Sequence, residues 1–423
     1  MDLGERRLRA EIEKIPIVDP HSHVDPRSPT ATGLNDLLGY HYYTELAHSA
    51  GMPKTALEAT GQDLARAIAE WLPRLANTVQ YDWLVHLARE FFGFPEREVT
   101  TRNIEQLYAA VAATCAQPDW ADQVFAKSNL EAIFLTNDFD DPLEGFDVKR
   151  YVPCLRTDDL AFKLDQETVR TRFAATTGHE ATSPASLEKG FDKLFERFVA
   201  RGARACAISL PPDLEPSRPS HAEAAHLVDA ALAGNLSDGD RKALASWTIF
   251  ALADRCEEFK LPFDLMIGVR RDVYPGGVHQ GRDLFDQRTS LYSYRKLFNE
   301  KAKVTFPVSV LTHAQNQELA SFAWIFPNVV ASGHWWYANV PAYIEADLRA
   351  RLEAVPLGKQ IGYYSDAYKL EFVLPKYATY KRCLTRVLYQ DFIIARGWSE
   401  EQAVDAALHL LRENALAIFG GGN

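Results

Sequence analysis

Cysteine is scarce in this chain and never paired in sequence. Cys115, Cys154, Cys206, Cys256 and Cys383 are scattered and odd in number, with no Cys-x-x-Cys pair. That excludes a disulfide framework and predicts reduced thiols in a cytoplasmic protein. Long apolar runs are missing as well, and none approaches a membrane span. The opening stretch from Asp2 to Arg7 reads as the start of an amphipathic helix and lacks the apolar core of a secretory signal. Basic residues are outnumbered, 46 against 57, for a net charge of −11. Nucleic acid and anionic membrane are therefore poor partners, while a small anion can still find a local basic pocket. Nucleophile-elbow catalysis has no Gly-x-Ser-x-Gly to rest on. No phosphate-binding glycine loop is present. His221 and His226, on an expected helix, do not make His-Glu-x-x-His. Homo-oligomerisation is left open.

What is present is a large apolar inventory, 47% of 423 residues, arranged in short runs. The first, Ile15 to Val18, leads into Asp19-Pro20-His21-Ser22-His23. Seven similar segments follow, at 130–138, 150–156, 202–209, 263–269, 304–311, 329–335 and 359–366. Near-continuous apolar runs indicate strands buried on both faces, as in a parallel sheet. Helical periods separate most of them. Leu187, Phe191, Leu194, Phe195, Phe198 and Val199, for example, form one stripe. Eight strands alternating with helices predict an α/β fold, a single (β/α)₈ TIM barrel over 1–423. The join between the second and third strands has room for little more than one helical turn. The gap at 30–128 is too long for one crossover and is expected to be a helical lobe inserted after strand one, covering part of the barrel mouth. Ser399 and Gln402 predict a capping box at the start of a closing helix, with Val404, Leu408, Leu411, Ala415 and Ile418 on its buried face.

The chemistry is expected at the C-terminal ends of the strands. His21 and His23 share one side of an extended segment, so both imidazoles can reach one divalent metal. Asp366 ends strand eight, which neighbours strand one in a closed barrel, and it can complete the ligand set or move protons; a helix N-cap is its bland alternative. Met266 occupies the strand-five position where many metal hydrolases of this fold carry a histidine, and strand four offers no lysine to bridge two metals. One metal is therefore expected. Arg156 ends strand three and suits a carboxylate, or a salt bridge to Asp158 or Asp159. His313 and His334 follow strands six and seven. Trp335 and Trp336 point apart, so one faces the pocket. Tyr40-His41-Tyr42-Tyr43 lies on the presumed lid and cannot all face one way.

Taken together, these motifs resemble the uronate (glucuronate) isomerase family of the amidohydrolase superfamily. The resemblance runs over nearly the whole chain. It includes His21-Ser22-His23, Leu37-Leu38-Gly39-Tyr40-His41-Tyr42, Thr136-Asn137-Asp138-Phe139-Asp140-Asp141-Pro142 and Leu155-Arg156-Thr157-Asp158. It continues through Ser209-Leu210-Pro211-Pro212, Met266-Ile267-Gly268-Val269, Gly333-His334-Trp335-Trp336 and Ser365-Asp366-Ala367. The resemblance implies interconversion of an aldohexuronate and a ketohexuronate. It implies one divalent ion, zinc, on His21, His23 and Asp366, with Asp366, Tyr42 and His41 as catalytic groups. Arg156, His313, Trp335, Trp336 and Tyr368 would meet the substrate. Two positions depart from the family, which commonly has arginine where Tyr368 and His313 stand. Neither replacement is a permanent cation. Two other readings stay open on these residues: a metal-dependent hydrolase or lactonase acting on a sugar acid, and a non-catalytic sugar-acid-binding relative.

Overall fold

The computed structural model describes residues 2–420. Eight parallel strands follow one another around a barrel. They are β1 (Ile17–Asp19), β2 (Leu130–Phe134, resuming at Asn137–Asp138), β3 (Tyr151–Val152 and Cys154–Arg156) and β4 (Ala205–Leu210). Then come β5 (Phe263–Ile267), β6 (Phe306–Val310), β7 (Val329–Ser332) and β8 (Gln360–Ile361). Pro153 interrupts β3 because it has no N–H to give the ladder. The registers Ser209↔Met266 and Met266↔Ser309 bring the ends of β4, β5 and β6 level. Closure comes just beyond β8, where Asp366 N–H donates to the His21 carbonyl at 3.1 Å and His23 N–H to the Ala367 carbonyl at 2.8 Å.

The barrel interior is narrow, and its residues are small. Ala132, Ala205, Ala207, Val18, Val152 and Val330 line it with Phe134, and Phe419 from the last helix plugs its lower end at 5.1 Å from the Phe134 ring. That helix wedges between β8 and β1 low in the barrel, and the Leu410 carbonyl accepts from Gly362 N–H at 3.1 Å. A side chain at Gly362 would put a carbon 2.4 Å from the Tyr380 hydroxyl, so the close approach requires glycine. The helix keeps the Ser399–Gln402 capping box but passes through a π-turn at His409–Glu413. The extra residue rotates its inward face. Leu410, Leu411, Ala415 and Phe419 are buried, whereas Val404, Leu408 and Ile418 are only half-buried.

Between β1 and β2 the chain is helical, with the longest helices at Val79–Phe92 and Ile104–Cys115. Thr78 caps the first by accepting from Tyr81 N–H, and left-handed Gly93 ends it. This lobe shares one hydrophobic core with the helix Val373–Val387 that follows β8, and Trp83 Nε1–H donates to Thr379 Oγ1 at 3.1 Å. The short join between β2 and β3 holds no helix, and Asp141 fastens a turn there by accepting from Leu143 N–H and Asn137. Two local expectations are corrected. Val199 ends its helix facing solvent rather than joining the stripe of Pro184–Ala200. The strand expected over 263–269 breaks at Gly268, φ +113°, and continues as an antiparallel hairpin, Val269–Arg270 against Leu284–Phe285. All five cysteines are free. Among the described residues, no helix is long and apolar enough to cross a membrane.

Candidate active site

The C-terminal end of the barrel opens into a cavity of about 280 Å³. At its floor His21, His23 and Asp366 offer ligand atoms that all lie within 4.8 Å of one another. Asp366 Oδ1 is 3.6 Å from His21 Nε2 and 3.3 Å from His23 Nε2. His21 Nε2 and Asp366 Oδ1 are buried without a hydrogen-bond partner. Two orphaned polar atoms aimed at one point are costly unless something joins them. A third donor atom beside them, and the mix of two imidazoles with one carboxylate, suit a divalent metal. The cluster therefore fits a metal ion.

The tautomer of His23 follows from its neighbour. Thr136 Oγ1 is 3.0 Å from the Ser22 carbonyl and 2.8 Å from His23 Nδ1. The carbonyl can only accept, so the hydroxyl donates to it and receives the Nδ1–H proton of His23, leaving Nε2 bare toward Asp366. Asp264, on β5, stands behind His21, its Oδ2 3.6 Å from Nδ1. Burial pulls His23 down and keeps it neutral. Burial also works against charge on His21, but the Asp264 and Asp366 carboxylates prevail and raise it. For Asp366 burial is outweighed by the adjacent His23 and His21 side chains and the Lys376 ammonium, and its carboxyl falls to about 2.

Behind the cluster is a fully buried polar layer. Asp19 accepts from Ser365 N–H at 2.9 Å, from the Ser365 hydroxyl, and from Tyr377 at 3.3 Å. Burial pushes its carboxyl up to about 6. Lys376 Nζ donates to the Ser365 carbonyl and the Tyr40 hydroxyl, each at 2.7 Å, and Tyr40 in turn donates to the Asp366 carbonyl at 3.2 Å. The lid is thus tied to the ligand-bearing loop through one ammonium.

A model of the glucuronate isomerase family matches residues 4–407. The chain belongs to the glucuronate isomerase family. Its members are aldose–ketose isomerases. A uronate isomerase of Corynebacterium efficiens is 23% identical over 454 residues, covering 98% of this chain and 95% of that protein. The crystal structure of a uronate isomerase from Thermotoga maritima matches with TM-score 0.89 at 20% identity, over 99% of this chain and 98% of that one. A glucuronate isomerase from Caulobacter crescentus also gives 0.89, at 18% identity over 99% and 94%. These likenesses in structure carry the barrel fold.

In this glucuronate isomerase family member the cavity wall also includes His41, Arg156, Trp335, Trp336 and Tyr368, and Met266 lies against it. His41 opens the lid helix His41–Ser49, and burial pulls its imidazole down to about 3. Burial pushes the Tyr368 phenol up to about 12. Three of the sequence candidates lie elsewhere. Tyr42, one helical step from His41, turns into the lobe core beside Trp83 and the Lys376 ammonium. His313 opens a short 3₁₀ turn after β6 that swings it outward, where it stacks on Tyr343 and bonds Asp347. His334 is buried beneath, 3.8 Å from the same carboxylate. Asp366 caps no helix; the next turn starts at Leu370, after Lys369. Asp158, the salt-bridge partner expected for Arg156, also lines the cavity, and so do Thr136 and, unmarked by any sequence pattern, Arg271, Gln280 and Asp283; Asp264 stands behind His21, outside the cavity lining.

Proposed function

We propose that the chain interconverts aldohexuronates and ketohexuronates, D-glucuronate with D-fructuronate and D-galacturonate with D-tagaturonate, using one divalent ion, zinc, held by His21, His23 and Asp366. The observation that carries this reading is the convergence of that cluster, Arg156, His41 and Tyr368 on one cavity in a chain that matches the family from residue 4 to 407. Two neutral imidazoles and one carboxylate would leave a divalent ion with net charge about +1, which supplies electrostatic anchoring for the substrate's carboxylate.

The residues can divide the remaining work. Isomerisation moves one proton from C2 to C1 and one between the two oxygens, through an enediol. His41, neutral at pH 7, is placed to accept and return a proton, as is the ionised Asp366. Tyr368 stays protonated and donates a hydrogen bond to a developing enediolate oxygen. Arg156 adds a guanidinium on the same side. Trp335 and Trp336 wall the cavity and exclude water. Residues 30–128 act as a lobe over the barrel mouth, with His41 its contribution to the site. The setting for this chemistry is the cytoplasm.

The test is NMR of metal-replete protein with glucuronate and galacturonate in D₂O. The expected result is a ketose product with solvent deuterium at C1 or C2. No ketose from either sugar refutes the reading, and acid released from a sugar lactone instead assigns the site to hydrolysis. Asp366→Asn is expected to fold with an unchanged circular dichroism spectrum and to lose at least 10²-fold in kcat.

A further inference from the structure

The lid helix follows β1 and the hairpin follows β5. In a ring of eight strands these two stand opposite each other, yet the segments that leave them meet over the barrel mouth. His48, in the last turn of the lid helix, stacks on Tyr274 of the hairpin, with ring centroids 6.0 Å apart at 20°. The Met52 carbonyl, 2.8 Å from Nδ1, claims the one N–H of the neutral His48 ring, so Nε2 accepts from the Tyr274 hydroxyl at 3.4 Å. One turn earlier the hairpin backbone lies directly on the helix. A carbon added at Gly281 would fall 2.5 Å from Glu45 Cγ and 2.8 Å from Val278 Cγ2. Burial and then the nearby Asp283 push the Glu45 carboxyl up to about 8, so at neutral pH it sits in this seam uncharged. Its Oε1 is buried with no hydrogen-bond partner.

The seam is slight, and the hairpin is otherwise loose. Between Arg271 and Arg282 only Val278 is buried, and Tyr274 itself is 54% exposed. A segment with so few buried contacts opens at small cost. Its base carries a hinge, Gly268 at φ +113°, whose carbonyl accepts from Asp286 N–H at 3.3 Å where the chain returns. Both partners also wall the cavity, the hairpin through Arg271, Gln280 and Asp283 and the lid helix through His41. Lifting one from the other therefore opens the cavity to solvent. We propose that the hairpin is a strap across the barrel mouth, latched to the lid helix at Tyr274–His48 and Gly281–Glu45, and that it must unlatch for a ligand to enter or leave. This rests on the reading of the cavity as the reaction site, and it concerns access to that site, not what is bound there.

The experiment uses the full chain with His48→Cys and Tyr274→Cys, loaded with zinc and bridged by a short bis-maleimide that contains a disulfide. On bridging, withdrawal of zinc by dipicolinate is expected to slow about tenfold and ketose formation to fall as much, both restored when a phosphine reductant cleaves the bridge. Tyr274→Ala acts in the other direction. Loss of the stacked ring and its hydrogen bond is expected to raise amide hydrogen exchange about tenfold, in the hairpin 271–283 and also at 45–49 on the lid helix. A merely local effect of the substitution would not reach the helix. Zinc withdrawn as fast from the bridged protein as from the unbridged one, or unchanged exchange at 45–49 in Tyr274→Ala, overturns the proposal. Slowed withdrawal in a protein that forms no ketose sinks the isomerase reading alone, and ketose formed at an unchanged rate by the bridged protein sinks the strap alone.

Discussion

Replacing Lys376 with methionine probes how the lid and the ligand loop are held together. The ammonium is fully buried. It donates to the Tyr40 hydroxyl and the Ser365 carbonyl and lies 5.0, 5.1 and 5.1 Å from the rings of Tyr40, Tyr42 and Trp83. Burial lowers its pKa to about 8, with Asp366 and Asp19 opposing, so it remains charged at neutral pH. Methionine keeps most of the volume and removes the charge. Two charge-assisted hydrogen bonds at roughly 1.5–3 kcal/mol each are lost, and the Ser365 carbonyl is orphaned. Desolvation of the ammonium, several kcal/mol, is recovered. The terms leave a net destabilisation of about 2–3 kcal/mol. For a chain of this size that lowers the thermal midpoint by about 3 °C. Tyr40 also loses its anchor, so the lid helix and the Asp366 loop are released from each other. Turnover is expected to fall at least tenfold while metal content, read by elemental analysis, stays stoichiometric. A midpoint within about 1 °C of wild type with unchanged turnover refutes the argument that this ammonium connects the two.

Two further outcomes follow from the same geometry. Thr136→Val removes the acceptor that fixes the His23 tautomer, and metal affinity measured by chelator competition is expected to drop 10–100-fold with the fold intact. Glu45, on the lid helix, has its carboxyl raised to about 8 by burial and then by Asp283. The folded state therefore holds a proton that the unfolded chain gives up near 4.5, so stability is full below that pH and is lost as pH rises through 8; the thermal midpoint of Glu45→Gln is expected to vary less between pH 5 and 9 than that of wild type.

The barrel was legible because strands buried on both faces cannot hide: their apolar runs stand out against helical periods. His21 and His23 were legible for a local reason, since alternation along an extended segment puts both on one side. What escaped was whatever depended on partners distant in sequence. Asp264 lies two residues before Met266 on the same face of β5, and its partner His21 is far away in sequence. A carboxylate inside an otherwise apolar strand was itself a signal, because burial demands a partner. Asp19 ends an apolar run in the same way. Lys376 gave no signal at all: a lysine at a helical spacing reads as solvent-facing. Tyr42 was misplaced because neighbouring helical residues diverge by about 100°, so His41 and Tyr42 cannot both face the cavity. The hairpin was hidden because β5 runs straight into it, with Gly268 as the only mark of the break.

The unsupported and the supported halves of the cavity differ in kind. Asp366, at φ 51°, and Trp336, at φ 43°, hold left-handed conformations that cost roughly 1–3 kcal/mol each in a residue with a side chain. Such strain persists only where the surroundings over-determine it. For Asp366 they do: its N–H and carbonyl are bonded to His21 and Tyr40, and its neighbour Ser365 is clamped by Asp19 and Lys376. The floor that carries the His21–His23–Asp366 cluster is therefore fixed before any ligand arrives, and substitutions in that buried layer are expected to act on metal affinity and turnover. Asp272 and Gln280 are also left-handed, at 62° and 64°, but they sit on an exposed hairpin with no buried layer behind it. That end is held by the Arg271–Asp283 pair, the Asp272 N–H on Asp283, the Arg282–Asp272 ion pair and the Tyr337 hydroxyl. Changes on the hairpin are consequently expected to leave the His21–His23–Asp366 cluster intact, so the two halves of the cavity can be separated by mutation.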